Sequence, residues 1–250
     1  MKTRMFFWCV TSALAGFLFG FDTVVISGAE QTIKSLWNLS AEVHGVAIAS
    51  ALYGTVLGSL FGGWPTNRFG RKWTLLGVGV LYVISAVGSG IASGVWSFGI
   101  ARFLGGIGIG VSTVAAPLYI SEIAPPKYRG RLTGLFQFNI VFGIIIAFLS
   151  NYLLRDVGET AWRWMLAVAV LPSLIYSACC FVIPESPRWL LTRGNDRFAG
   201  LQGLRLIEPE ATDEEIEAKA EEIQRLSKQE QEQSGFWSKR LRYPILLAFL

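Results

Sequence analysis

Histidine occurs once in the 250 residues, at His44, and cysteine three times, at Cys9, Cys179 and Cys180. A single histidine all but excludes a histidine-based catalytic or metal site. The cysteine count is odd, all three lie in apolar stretches, and none has metal-ligand spacing. They read as small buried hydrophobes, with no disulfide framework and no metal. Charge is scarce too: 16% of residues are charged against 52% hydrophobic. No nucleophile–base pair stands out, and Asp22 has no histidine or second acid near it in sequence, which argues against an enzyme. The "GGIGIG" string at 105–110 does not match the dinucleotide fingerprint and no strand precedes it, so no cofactor is expected. The first apolar segment exceeds a signal h-region and lacks a small-residue cleavage site after a polar stretch, so it reads as a retained helix.

What the chain has in quantity is apolar length. Mean hydropathy is +0.45, and 17 Phe and 9 Trp suit apolar spans with interfacial anchors. Six stretches are long enough to cross a bilayer, at about 5–28, 44–65, 73–92, 97–120, 132–154 and 164–183. A seventh begins at Tyr243 and runs only to Leu250. Eight residues at a rise of ~1.5 Å fall far short of ~30 Å of hydrocarbon, so the sequence reads as a fragment that stops inside an element. The expected organisation is a six-helix transmembrane bundle over 1–190, an intracellular helical linker domain over 191–242, and the start of a seventh helix over 243–250.

Basic residues in short loops set orientation. With the N-terminus inside, the inner segments carry Lys2, Arg4, Arg68, Arg71, Lys72, Lys127, Arg129 and Arg131, and the outer loops only Lys34, Arg155 and Arg163. This favours an N-terminus in the cytoplasm and explains the net charge of +4 without nucleic acid. Trp37, Trp96, Trp162 and Trp164 fall near predicted outer ends, where an aromatic belt would place them. Gly54, Gly58 and Gly62 recur every fourth residue, as do Gly106 and Gly110, a spacing that lets helices approach closely in lipid. Beyond the sixth span, residues 185–242 turn polar. Thr212 and Glu215 have capping-box spacing, and Ile216, Ala220, Ile223 and Leu226 form a narrow apolar stripe on an acidic helix.

Two ionisable residues lie within spans, Asp22 and Arg102. Each costs roughly 2.5–3.5 kcal/mol at a helix centre on insertion scales. Alternating spans bring both to the outer half of the membrane, where they are able to pair. One reading is a fixed buried salt bridge. The other is proton coupling: a conformational change that parts the pair alters the carboxylate's affinity for a proton, and linkage makes protonation bias the conformation equally. Arginine suits the partner because it stays charged throughout. A second group gathers at the inner ends, in "GGWPTNRFGRK" (62–72), "SEIAPPKYRGR" (121–131) and "PESPRWL" (184–190). Gly70 and Gly130 permit sharp turns there, and Pro125, Pro126, Pro184 and Pro187 stop helices. These basic residues either only enforce orientation, or Glu122 and Glu185 latch against Arg68, Arg71 and Arg129, with Arg188 close by. In span five, Gln137 and Asn139 need hydrogen-bond partners, which a sugar or a neighbouring helix supplies.

Together these strings resemble the major facilitator superfamily and, within it, the sugar porter family. "GFLFGFDTVVISGA", "NRFGRK", "RFLGGIGIGV", "SEIAPPKYRG" and "PESPRWL" follow the family's order and spacing across 5–190. Asn67 replaces the acid of the general superfamily loop motif, a substitution common in sugar porters. The resemblance implies an all-α membrane fold of two six-helix halves, each made of two inverted three-helix repeats, with substrate between the halves near the midplane. This chain would be the N-terminal half followed by intracellular helices, with the C-terminal six-helix half missing. The resemblance assigns proton coupling to Asp22 and Arg102, and sugar contact to Gln137, Phe19 and Ile144. Ile144 stands where some xylose symporters are polar and many hexose carriers apolar. The implied function is proton/monosaccharide symport, of a hexose or pentose, in the plasma (inner) membrane. A facilitative uniporter is the nearest alternative, and a non-transporting sugar sensor or regulatory half-protein an alternative of another class.

Overall fold

A computed structural model describes residues 3–194 and 196–233. Every element found there is helical. Six helical stretches are long and apolar enough to cross a membrane: Arg4–Gly28, Ala41–Arg68, Arg71–Gly90, Val95–Ile123, Pro126–Leu154 and Ala161–Val182. The first combines α1 (Thr3–Val25) with a 3-10 turn, Ile26–Gly28, and a short α2 (Glu30–Leu36) follows it. The second joins α3 (Ala41–Phe61) to α4 (Gly63–Arg68). The third, fourth and fifth are α5 (Arg71–Gly90), α6 (Val95–Ile123) and α7 (Pro126–Leu154). The sixth joins α8 (Ala161–Ala167) to α9 (Val170–Val182). The expected start of a seventh span at 243–250 lies outside the described residues.

Local chemistry sets the ends. Ser40 caps α3 by accepting from the Val43 N–H. Gly70, at φ 92°, forms the corner between α4 and α5, a conformation with no steric penalty only for glycine. The other turn expected from glycine does not exist: Gly130 lies inside α7. Pro125 and Pro126 start that helix as N-cap and first residue, because proline's missing N–H is no loss there. Pro187 likewise opens a helix instead of closing one.

The bundle is built on two close seams and one exchange of partners. The second span packs on the fourth and the fifth on the first, while the third packs on the sixth. Exchanging spans one, two and three with four, five and six maps these pairings onto themselves, which is the pattern of two three-helix repeats. In the α3–α6 seam a side chain on Gly54, Gly58, Gly106 or Gly110 would run into the facing backbone; in the α1–α7 seam the same holds for Gly16, Gly20 and Gly143. Only glycine allows these approaches, and close packing replaces the hydrophobic drive that lipid cannot provide. The outward faces are apolar, with Leu52, Val56 and Leu60 on α3 and Phe138, Ile145 and Phe148 on α7 all exposed. Cys9 and Cys180 are buried, and all three cysteines are free.

One end of the bundle holds an aromatic cluster in which Trp37 meets Phe98 and Trp162 edge-on at 6.0 and 5.7 Å. Trp162 is buried, whereas Trp96 and Trp164 are exposed. The expected belt of four is therefore a belt of two, because Trp37 and Trp162 pack inward around α2 and α8.

The chain divides after Ser186 into two units. In the second, α10 (Pro187–Thr192), α11 (Arg197–Ile207) and α12 (Asp213–Gln233) pack on one another. Thr212 and Glu215 form the reciprocal capping box, with N–H···O distances of 2.8 and 3.3 Å. Ile216 and Ala220 are buried, while Leu226 is exposed, so the stripe on α12 ends earlier than its spacing suggests.

Candidate functional site

The carboxylate in the first span has found its partner. Arg102 Nη1 donates to Asp22 Oδ1 at 2.6 Å and its Nη2 donates to the Asp22 carbonyl at 2.9 Å. Their side chains are 7% and 4% exposed, so water contributes little to either charge. The pairing uses only part of what each group offers. Asp22 Oδ2 and Arg102 Nε have no hydrogen-bond partner. Beside them on α5, the hydroxyls of Tyr82, Ser85 and Ser89 are buried and equally unpartnered. An unsatisfied buried polar atom costs about 1–3 kcal/mol. Asp22, Arg102, Tyr82, Ser85 and Ser89 hold five of the eight unpartnered buried side-chain atoms among the described residues, so this is the least satisfied part of the described interior. The sequence carried a signal for the hydroxyls, since positions 82, 85 and 89 share one face of an otherwise apolar helix.

The second charged site lies at the opposite end of α6. Arg71 grips Glu122 with both prongs, Nε to Oε2 at 2.9 Å and Nη2 to Oε1 at 2.8 Å, and its Nη1 donates to the Thr66 carbonyl at 3.1 Å. Ser186 donates its hydroxyl to Glu122 Oε2 at 2.6 Å. Glu185 does something sequence spacing did not suggest: it caps a helix. Its carboxylate accepts the backbone N–H groups of Arg71, Lys72 and Ser186, at 2.8 to 3.2 Å, at the N-terminus of α5, where Gly70 has no side chain to do so. Burial pushes the Glu185 carboxyl above the ordinary carboxylate range, against the pull of those N–H donors and the Arg71 charge. Tyr119 donates to the Pro184 carbonyl at 2.9 Å, and Lys72 Nζ to that of Phe181 at 2.9 Å, tying the end of the sixth span to α5 and α6.

Two expected members of this latch are not in it. Arg68 and Arg129 are exposed, and no side-chain hydrogen bond or ion pair reaches either among the described residues. Arg68 closes α4 and Arg129 sits in the first turn of α7, both outside the buried pocket that Arg71 fills from the first position of α5. Arg188 belongs to the second unit, in the first turn of α10. Ser186 and the Thr66 carbonyl are the partners that reading the charges alone missed.

The polar residues of span five separate clearly. Asn139 is buried and donates to the Leu135 carbonyl of its own helix at 2.9 Å, so its need is met internally. Gln137 is exposed and its side chain makes no hydrogen bond to the described protein. Gln137, Ile140 and Ile144 follow one another along α7 at helical spacing, and the Ile140 carbonyl borders Gly20 of α1, the neighbour of Phe19. Phe19 and Ile144, both half-buried, therefore flank the same α1–α7 seam as Gln137. Among the described residues no cluster of three or more His, Cys, Asp or Glu has a metal-holding arrangement.

A family model described as sugar (and other) transporter matches residues 8–250. The chain belongs to this sugar transporter family. It is a family of transporters and not of enzymes, and the sequence motifs place it among the sugar porters of the major facilitator superfamily. The sugar porter chain is 42% identical over 194 residues to a glucose transport protein of Synechocystis sp., covering 73% of this chain and 42% of that protein. It is 36% identical over 222 residues to the D-xylose-proton symporter of Escherichia coli (strain K12), covering 76% of this chain and 45% of the relative. It superposes on the proton:xylose symporter XylE bound to 6-bromo-6-deoxy-D-glucose with a TM-score of 0.85 at 32% identity, over 96% of this chain and 55% of that one. The sugar porter chain thus spans about half the length of these relatives. Its six spans make it an integral membrane protein of the major facilitator fold.

Proposed function

We propose that this chain forms the N-terminal half of a monosaccharide/proton symporter that works by alternating access. The observation that carries the reading is the buried Asp22–Arg102 pair, with one carboxylate oxygen unpartnered inside a membrane bundle. A pair kept only for stability would be replaced by apolar residues at little loss. Relatives named as proton symporters of xylose, arabinose and galactose support the proton as coupling ion. In this reading Asp22 takes the proton, Arg102 is the fixed counter-charge, and Gln137 offers its free amide to a hexose or pentose between Phe19 and Ile144. Arg71, Glu122, Glu185 and Ser186 hold the inner side closed, with Gly70 shaping the corner. The second six-helix half would complete the cavity. The membrane is the plasma (inner) membrane, with the N-terminus in the cytoplasm.

A chimera tests it: this chain joined to the second half of the E. coli D-xylose-proton symporter, in cells fed labelled sugar. Uphill accumulation that collapses with the proton gradient is expected. Asp22→Asn should abolish accumulation and spare sugar exchange. Accumulation untouched by Asp22→Asn would sink the coupling role, and uptake indifferent to the gradient would make the protein a uniporter. Sugar binding without any flux would favour a sensor.

A further inference from the structure

Two serines of α5 depart from the pattern that most buried serines of the bundle follow. Ser50, Ser59, Ser112, Ser121, Ser173 and Ser177 each donate to a carbonyl three or four residues back in their own helix. That local bond is the usual way a helical serine is satisfied in an apolar setting. Ser85 and Ser89, each 1% exposed, do not make it, nor does Tyr82 find a partner. All three share the face of α5 that meets α6 beside Asp22.

Gly105 shows how close the approach is. It lies one turn beyond Arg102, and a Cβ built on it would overlap Ser85 Oγ and stand 3.9 Å from Asp22 Oδ2. The missing side chain of Gly105 thus leaves one spot faced by both the free hydroxyl and the free carboxylate oxygen. Arg102 holds only Oδ1 and the Asp22 carbonyl. Oδ2 is the oxygen with room for a proton before the guanidinium has moved.

We propose that Ser85 is the positioning residue for Asp22: it accepts the O–H of the protonated carboxyl at Oδ2 once Arg102 withdraws, with Ser89 and Tyr82 extending the polar strip along α5. The inference rests on the proton-coupling reading of Asp22. The balance is simple. Asp22 gains one proton at Oδ2 and becomes neutral, Arg102 keeps its charge, and the Ser85 hydroxyl exchanges no covalent bond. A hydroxyl suits the role because it accepts from a neutral acid while its own hydrogen turns to a helix carbonyl. The charged and titratable groups facing Asp22 are Arg102 from α6 and Tyr82 from α5. The apolar lengths of α7 and α9 that pack on α1 carry only Tyr152, and Tyr176, Cys179 and Cys180.

Infrared difference spectroscopy on the chain in lipid nanodiscs, stepped from neutral to acid buffer, tests the proposal. The band sought is the carboxylic C=O stretch that Asp22→Asn removes. In Ser85→Ala this band should move to higher wavenumber, because the acid loses its hydrogen-bond acceptor. Ser85→Thr, which keeps the hydroxyl, should leave it in place. Ser150→Ala, which removes another unpartnered hydroxyl on α7, should not move it either. An unmoved band in Ser85→Ala, with the fold intact by circular dichroism, overturns the role of Ser85 and leaves the coupling reading standing. If no band is lost in Asp22→Asn, the coupling reading falls, and this proposal with it.

Discussion

Replacing Glu122 by alanine gives the sharpest test of what holds the charged end of the bundle together. The Arg71 and Glu122 side chains are 8% and 3% exposed, and the pair is bidentate. Glu122→Ala removes both charge-assisted bonds, leaves the Thr66 carbonyl as the guanidinium's hydrogen-bond acceptor with only the Glu185 charge near it, and removes the acceptor of the Ser186 hydroxyl bond to Oε2. Breaking one side of such a pair costs about 3–5 kcal/mol. At roughly 2–4 °C per kcal/mol for a chain of this size, the melting midpoint should fall by about 6–20 °C. Arg71→Lys should cost less, since lysine keeps the charge and loses the fork. The assay is thermal unfolding in detergent followed by tryptophan fluorescence, and a double-mutant cycle isolates the pair. Arg71→Met with Glu122→Leu should recover much of the loss, with a coupling of about 2–3 kcal/mol. Single variants that each shift the midpoint by less than ~3 °C, or effects that simply add, would show that the geometry carries no such energy.

The seams make a second prediction. Gly20→Ala drives a methyl against the backbone of Ile140, whose carbonyl carbon would be 2.8 Å away, and should lose about 1–3 kcal/mol. Gly45→Ala on α3 meets nothing within 4 Å and should be neutral or slightly stabilising; equal midpoints for the two would refute the seam. Gly70→Ala forces a side chain into φ 92° and should cost about 1–2 kcal/mol. Gly130→Ala, near the start of α7 with open space around it, should cost nothing, and a reversed order would restore the turn at Gly130. Because burial holds the Glu185 carboxyl above its usual range, its contribution is full below that range and is lost as pH rises through the raised value. Glu185→Gln should therefore gain on the native chain as pH rises, read as a widening gap in melting midpoints. A gap that narrows instead would mean that the backbone donors outweigh desolvation.

The six spans were legible because each is a long apolar run, and lipid forces such a run to satisfy its backbone as a helix. The Asp22–Arg102 contact was legible for the same reason: a charge in that setting needs a partner, and counting residues from each span's end put the two at one depth. The caps at Ser40 and at Thr212 with Glu215 could be read from local sequence, since each acts within one turn. The latch was only half legible. Loop charges name Arg68, Arg71 and Arg129 as equals, and only the corner at Gly70 decides which guanidinium enters the pocket. Glu185 bonding backbone instead of a cation leaves no trace in charge spacing. The inward turn of Trp37 and Trp162 depends on α2 and α8 folding back, which no periodicity records. The unpartnered hydroxyls are the opposite case: their stripe is plain in sequence, but their lack of partners exists only in three dimensions.

Where the two charged sites fall relative to the seams says how they are able to communicate. The close glycine seams join α1 to α7 and α3 to α6, while the Asp22–Arg102 bond crosses from one pair to the other. Separating that bond leaves both seams intact, so the pair sits where helices part at least expense. Two helices reach both sites. On α6, Arg102 and Glu122 are roughly 30 Å apart along the axis, but Pro117 lies between them and removes a backbone bond, which makes a bend there easy. On α5 nothing interrupts the helix between Arg71, engaged by Glu122 and Glu185, and Ser85, which borders the same gap at Gly105 as Asp22 Oδ2. A displacement of the Asp22–Arg102 pair would thus be absorbed along α6 and passed on along α5. Under the proposed coupling, the signal from Asp22 to Glu122 and Glu185 would run through α5, the helix that carries neither Asp22 nor Arg102.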